Sequence, residues 1–313
     1  MEFKKKNILD INSLSASEIE FILDTADSMK EINERPVKKV PALRGKTIVL
    51  FFQEPSTRTK LSFELAAKRL SADSVSLAAS SSSMKKGETL LDTARTIEAM
   101  KPDILVMRHS MSGAPHFLSK FLKCSILNAG DGRHAHPSQA LLDMMTIREK
   151  KKTLTGLNIA IIGDISNSRV ARSNMRGLVK LGNNVKVFGP PSMIPFKIEE
   201  EFKVSVSRSM EEALSDADAV IMLRIQKERQ GANLFSTDRE YSRFFGLNRE
   251  NLKNAKKDVL VMHPGPVNRG VEITPELADS EISVINEQVS NGVALRMALF
   301  YLVSGGSKNE NSD

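Results

Sequence analysis

The sequence predicts an α/β fold of two domains, each a parallel β-sheet covered by helices, with the active site in the interdomain cleft. Three observations predict it. Apolar strand-length runs alternate with amphipathic helix-length runs along the whole chain, the pattern of parallel sheets with helical crossovers. The 313 residues suffice for two cores. A basic stretch ending in glycine, 150–156, divides the two halves. The expected domains are therefore 1–150 and 151–285. A terminal helix over about 286–305 is expected to pack back on the first domain, with a frayed tail at 306–313.

The elements follow in order. Over 15–34, Ser15 and Glu18 form a capping box, and Ile19, Ile22, Leu23, Ala26 and Met29 share one helical face. After Pro36, Pro41 and Gly45, residues 47–52 read as a buried strand ending in Gln53, Glu54 and Pro55. A helix over 57–70 and a strand over 74–78 come next. The cluster from Ser80 to Ser83 leads through Lys85, Lys86 and Gly87 into a helix over 88–100. A strand at 103–107, a helix near 115–121, a strand at 125–128 and a helix from Pro137 to about Lys150 close this half. The second half repeats the alternation. Its strands are 158–162, 185–188, 204–207, 219–223 and 259–262, and its helices are 169–181, 210–214 and 286–303. Pro190 and Pro191 break the chain between them.

Composition narrows the function. No apolar run approaches the roughly 20 residues of a membrane helix. The basic start, Met1 to Asn7, is followed by Asp10, Asn12 and serines rather than an apolar signal region, so a cytoplasmic protein is expected. Cys124 is the only cysteine and cannot form an internal disulfide. With five histidines and no HExxH, no metal and no cofactor are expected. The net charge of +7 suits anionic ligands or nucleic acid. Scattered lysines, two tyrosines and no tryptophan argue against nucleic acid.

Ligands of parallel sheets sit at the carboxyl ends of strands, and the unusual polar segments lie there. Ser56, Thr57, Arg58 and Thr59 stand between a strand and a helix. Hydroxyls, amides and an arginine at a helix start favour a phosphate dianion. Capping would account for the hydroxyls but not for Arg58 in the first turn after Glu54 and Pro55. The pattern is no Walker loop, and the turn after 162 lacks GxGxxG. Arg169 and Arg224, with Gln226, follow two strands of the second half, and two arginines suit a dicarboxylate.

The run Phe-Phe-Gln-Glu-Pro-Ser-Thr-Arg-Thr at 51–59 resembles the carbamoyl-phosphate motif of the aspartate and ornithine carbamoyltransferases. Further segments match in the family's order: Ser82 to Thr89, Met107-Arg108-His109, and Asn128 through Gly132 to His136, Pro137, Ser138 and Gln139. The resemblance covers nearly the whole chain and is closest to the aspartate-specific catalytic chains. It implies carbamoyl transfer from carbamoyl phosphate to L-aspartate, giving N-carbamoyl-L-aspartate and phosphate, a step of de novo pyrimidine biosynthesis. It implies that Ser56, Thr57, Arg58 and Thr59 hold the phosphate, and that Arg108, His136 and Gln139 contact the carbamoyl group. Ser82 and Lys86 would reach into a neighbouring subunit's site, which implies a homotrimer. Lys86, Arg169, Arg224 and Gln226 would bind aspartate, and Gly265 and Pro266 would bridge the substrates through backbone. The catalytic set is then Arg58, Thr59, Lys86, Arg108 and His136. The resemblance leaves room for a regulatory chain or a pathway-enzyme partner.

The rival within the family is an ornithine enzyme. That branch carries a cysteine-containing loop where this chain has His263, Pro264, Gly265 and Pro266, and the run from Arg224 to Arg229 favours an anionic acceptor. Nothing in the sequence resembles a nucleophilic triad, so direct attack by the aspartate amine, without a covalent enzyme intermediate, is expected.

Overall fold

A computed structural model describes residues 2–78, 87–225 and 237–305. Two compact units divide the chain: residues 1–141 with 290–313, and residues 142–289.

The first unit opens with α1 (Ala16–Glu34), started by the predicted capping box: the Glu18 amide donates to Ser15 Oγ and the Ser15 amide to the Glu18 carboxylate. Its sheet comprises β1 (Thr47–Phe52), β2 (Asp73–Ala78), β3 (Ile104–His109) and β4 (Ser125–Asp131), in the order β2-β1-β3-β4 and parallel throughout. Covering elements are α2 (Thr57–Arg69), α3 (Leu90–Ala99), α4 (Ala114–Ser119) and the start of α5 (Pro137–Lys151). The central strands are buried along nearly their whole length, which explains why they read as continuous apolar runs.

The second unit carries β5 (Asn158–Ile162), β6 (Asn184–Phe188), β7 (Ser205–Val206), β8 (Ala219–Met222) and β9 (Leu260–Met262), in the order β7-β6-β5-β8-β9, again all parallel. Its helices are α6 (Arg169–Lys180), α7 (Ile198–Phe202), α8 (Met210–Leu214), α9 (Asp238–Phe245) and α10 (Pro275–Ala278). The terminal helix α11 (Ile285–Val303) gives its later turns to the first unit. There Phe300 meets Phe63 edge to face at 5.6 Å, and Arg296 Nη1 donates to Ser62 Oγ at 2.8 Å.

Two strands run longer than the sequence suggested. The third was expected to stop at Met107 and the fourth at Asn128. Instead pairing continues through an irregularity between Met107 and His109, so that His109 pairs with Asp131. Arg108 and His109 are therefore strand residues. Three short helices, α7, α9 and α10, were not anticipated. For α9 the signal was present: Thr237 Oγ1 accepts from the Glu240 amide, the T-x-x-E capping pattern. Among the described residues no helix is long and apolar enough to cross a membrane.

Candidate active site

In a parallel sheet, a crevice opens at the carboxyl ends of two adjacent strands whose following connections run to opposite sides. In the first sheet that point lies between β1 and β3, because β1 is followed by β2 on one side while β3 leads to β4 on the other. In the second it lies between β5 and β8, since β6 and β7 are laid out on one side and β9 on the other. The segments singled out from sequence leave these four strands: 53–59, 108–109, 163–169 and 223–225.

In the first unit, Phe52 pairs with Arg108, and the Gln53 amide donates to the Arg108 carbonyl at 2.9 Å. This register holds the phosphate-motif turn beside Arg108. The guanidinium is fixed twice, by Nη2 to Glu54 Oε1 at 2.7 Å and by Nη1 to the Ala129 carbonyl at 3.3 Å. Its side chain is only 11% exposed, so the plane of its donors is fixed and partly shielded from water. Ser56 is the N-cap of α2 but makes no side-chain cap hydrogen bond, and no acidic residue stands in the first turn. Ordinary capping therefore does not account for its hydroxyl. The helix start keeps an uncompensated positive end, with Thr57 and Arg58 exposed and Thr59 buried.

His136 and Gln139 are both buried at the start of α5, and the Gln139 and Ala140 amides donate to the His136 carbonyl at 3.1 and 3.2 Å. The loop before them is held by Asp131, whose carboxylate is fully buried. It accepts from Asn128 Nδ2 (2.8 Å), the Gly113 amide (2.6 Å), the Ala135 amide (3.1 Å) and His134 Nδ1 (3.0 Å). Gly132, at φ 45°, passes so close to the next loop that a Cβ would lie 2.7 Å from the Ser112 amide nitrogen. His109 accepts from the Met111 amide at Nδ1, 2.9 Å away. Burial pushes this imidazole below its usual range against the opposing charges of Asp131 and Glu54, so it is neutral, with its proton on Nε2.

In the second unit Arg169 is buried in the first turn of α6, behind an N-cap in which Ser168 Oγ accepts from the Ala171 amide. Arg224 is half-buried two residues past β8. Gly265 has φ 60°, a left-handed conformation that glycine adopts without strain, and it donates its amide to His263 Nδ1 at 2.8 Å. That bond leaves the His263 proton on Nε2, which donates to Glu272 Oε2 at 2.9 Å. Glu272 is fully buried and also accepts from the Ile225 amide (2.7 Å), the Asn268 amide (2.9 Å) and Asn268 Nδ2 (2.6 Å). One carboxylate thus ties the strand end carrying Arg224 to the loop carrying Gly265 and Pro266. The network continues. The His263 amide donates to Gln288, Gln288 Nε2 to Asp143, and Asn174 Nδ2 on α6 to the other Asp143 oxygen.

Arg58, Thr59, Arg108, His136, Gln139, Arg169, Arg224, Gly265 and Pro266 are thus placed, each within its own unit. Ser82, Lys86 and Gln226 lie outside the described residues. Sequence reasoning missed Glu54 as the Arg108 partner, and also Asp131, Glu272, Asn268, Gln288 and Asp143. Glu54 carried a signal, standing in the phosphate motif two residues before Ser56. Glu272 carried none, because only the fold brings four donors to it.

Residues 6–149 match the family described as aspartate/ornithine carbamoyltransferase, carbamoyl-P binding domain, and residues 155–303 match its Asp/Orn binding domain. The chain belongs to the aspartate/ornithine carbamoyltransferase family. It is 63% identical, over the full length of both chains, to the aspartate carbamoyltransferase catalytic subunit of Desulforapulum autotrophicum. It is 59% identical to that of Geobacter sulfurreducens, with 98% of each chain covered. Among solved structures, the ornithine carbamoyltransferase of Pyrococcus furiosus superposes with a TM-score of 0.87 at 31% identity, covering 98% of this chain and 99% of that one. Aspartate transcarbamoylase of Trypanosoma cruzi, in complex with N-(phosphonacetyl)-L-aspartic acid, gives 0.86 at 29%, covering 96% of both. Backbone shape does not separate the two branches; the relatives at 59% and 63% identity are aspartate enzymes.

The Glu272 network makes a prediction. Glu272→Gln places an NH2 group against donors and removes the charge. It should cost about 3 kcal/mol in urea unfolding and, by loosening the Arg224 and Gly265 segments, about 100-fold in kcat/KM for the amine substrate. A loss under about 1 kcal/mol with normal kinetics would contradict the assigned role.

Proposed function

We propose that the chain transfers the carbamoyl group of carbamoyl phosphate to the amino group of L-aspartate, giving N-carbamoyl-L-aspartate and phosphate. The observation that carries this reading is the placement of Arg169 and Arg224 at the β5/β8 switch point. Two guanidinium groups there suit the two carboxylates of aspartate and repel the cationic side chain of ornithine. The sequence identity to aspartate enzymes supports the same branch. We place the reaction in de novo pyrimidine biosynthesis.

The chemistry follows from the residues. The neutral amine attacks the carbamoyl carbon, and a tetrahedral intermediate forms whose oxyanion faces Arg108, His136 and Thr59. Glu54 and the Ala129 carbonyl hold the Arg108 guanidinium in place before substrate arrives, so no reorganisation is needed as charge develops. Gln139 accepts hydrogen bonds from the carbamoyl NH2. The C–O bond to phosphate then breaks, and the leaving dianion rests on the start of α2, with Ser56, Thr57, Arg58 and Thr59 as donors. Ser82 and Lys86 add a hydroxyl and an ammonium to the phosphate, and Lys86 and Gln226 complete the aspartate contacts. Gly265 and Pro266 meet both substrates through backbone. The phosphate takes the amine proton. Positioning and charge stabilisation supply most of the rate.

Arg58→Ala should lose about 100-fold or more in turnover without loss of fold, since the residue is exposed. Arg224→Ala should raise the KM for aspartate and abolish competition by succinate, a dicarboxylate without the amine, while sparing carbamoyl phosphate binding. Equal inhibition of wild type and Arg224→Ala by succinate would place the dicarboxylate pocket elsewhere.

The chain works as a homotrimer with shared sites, and an apolar surface supports this. Leu61 and Leu65, one turn apart on α2, are exposed, as is Val75 on the edge strand β2. A hydrogen bond from Ser76 Oγ to Glu64 holds this helix and strand together. In sequence, β2 comes just before the segment that carries Ser82 and Lys86. Mixed trimers of inactive Lys86→Ala and inactive Arg58→Ala chains should regain part of the activity, because some interfaces combine an intact segment with an intact turn. Hybrid trimers of verified composition with no activity would mean that each site is built within one chain.

A further inference from the structure

Two histidines and a buried carboxylate converge in the first unit, behind the loop that leads to His136. His116 lies on α4, Asp131 ends β4, and His134 follows in the loop to α5. One donor atom from each lies within 4.8 Å of the other two. The two imidazole rings meet edge to face with centroids 5.2 Å apart. His134 Nδ1 is 3.0 Å from Asp131 Oδ2, a few tenths of an ångström short of the roughly 3.3–3.6 Å between ligand atoms that a tetrahedral ion with bonds of about 2.0–2.2 Å imposes.

The His116 ring is oriented by a second carboxylate. Its Nε2 lies 2.7 Å from Asp10 Oδ2. The Asp10 oxygen accepts from Nε2, which leaves the lone pair of the ring on Nδ1. That Nδ1 is shielded from solvent and has no hydrogen-bond partner among the described residues. Such atoms are rare, and each one in a native fold calls for a ligand or another cause. A carboxylate behind a histidine whose other nitrogen faces inward is the arrangement that surrounds protein-bound metal ions.

We propose that His116, Asp131 and His134 bind one divalent transition metal ion of the zinc class, with Asp10 as the outer carboxylate that orients His116. Nitrogen and oxygen donors without a thiolate suit Zn2+, Co2+ or Ni2+ better than Mg2+ or Ca2+. Cys124 does not compete, because burial pushes its thiol up to about 11. The His116 and His134 side chains are 35% and 41% exposed, which leaves a path for the ion and room for a water as fourth ligand. Asp131 keeps its hydrogen bonds from Asn128, Gly113 and Ala135. The bond from His134 Nδ1 is exchanged for the bond from its lone pair to the ion. The ion would clip α4 to the loop that leads into His136, as a structural site apart from the carbamoyl chemistry.

The full-length chain, freed of metal by a chelator, is titrated with ZnCl2 in a calorimeter and with CoCl2 in a visible spectrophotometer. One ion per chain should bind, with the intense absorption bands of four-coordinate Co2+ and a rise in melting temperature that grows with Zn2+ concentration. His116→Ala and His134→Ala should each weaken binding at least 10-fold, and Asp10→Asn should weaken it by about 10-fold or more. His134→Ala alters a part-exposed side chain and leaves Asp131 its three other donors, so the metal-free chain should still melt cooperatively, and it carries the test if His116→Ala misfolds. Absence of saturable one-to-one binding, or unchanged affinity in His134→Ala, would overturn the proposal.

Discussion

A carboxylate with no access to water, Glu272, receives four hydrogen bonds from the ends of three segments of the second unit. An isolated carboxylate in that position would be prohibitively costly, and it is tolerated only because every donor points at it. The constraint is reciprocal. The amide of Ile225, the side chain of Asn268 and the ring of His263 all donate to Glu272, so the segments carrying Arg224 and Gly265 are drawn to where Glu272 is. Through Gln288 and Asp143 the same network reaches Asn174 on the helix that Arg169 begins. Three residues assigned to substrate are thereby fixed by groups that need not touch it.

Asp131 plays the corresponding part in the first unit. It is equally buried, and it gathers the amides of Gly113 and Ala135 with the side chains of Asn128 and His134. The loop thus pinned delivers His136 and Gln139. Arg108 is held by Glu54 and by the Ala129 carbonyl on the neighbouring strand. In both units a buried acid shapes loops at strand ends, and cationic or hydrogen-bonding groups are presented at the sheet's switch point. Such preorganisation is what an electrostatic transfer reaction requires.

Most of this fold was legible in the sequence. Strands buried on both faces are written as apolar runs, so β1 and β5 fall where the sequence placed them, and the short helix α8 does too. Ser15 with Glu18 announced α1. The ends of β3 and β4 were not legible, because Arg108, His109 and Asp131 are polar residues held in a strand by pairing that only tertiary contact supplies. Short helices such as α7 and α10 are too brief for a periodic signal. The candidate site was legible where a residue would touch substrate, as with Arg58 or Arg224. It was illegible where a residue acts through others, as with Glu272. A supporting carboxylate has no fixed spacing from the loops it holds, and its meaning comes from burial alone. The cluster of His116, Asp131 and His134 is of the same kind, with its members contributed by α4, β4 and the following loop.

The central claim is acceptor choice, because the fold is common to both branches of the family. It is tested most directly by incubating the purified chain with carbamoyl phosphate and equal concentrations of aspartate and ornithine, and identifying the carbamoylated product by mass spectrometry. The account predicts N-carbamoyl-L-aspartate, with phosphate released in equal amount and no citrulline. Citrulline as the main product, or phosphate release without a carbamoylated amino acid, would contradict it.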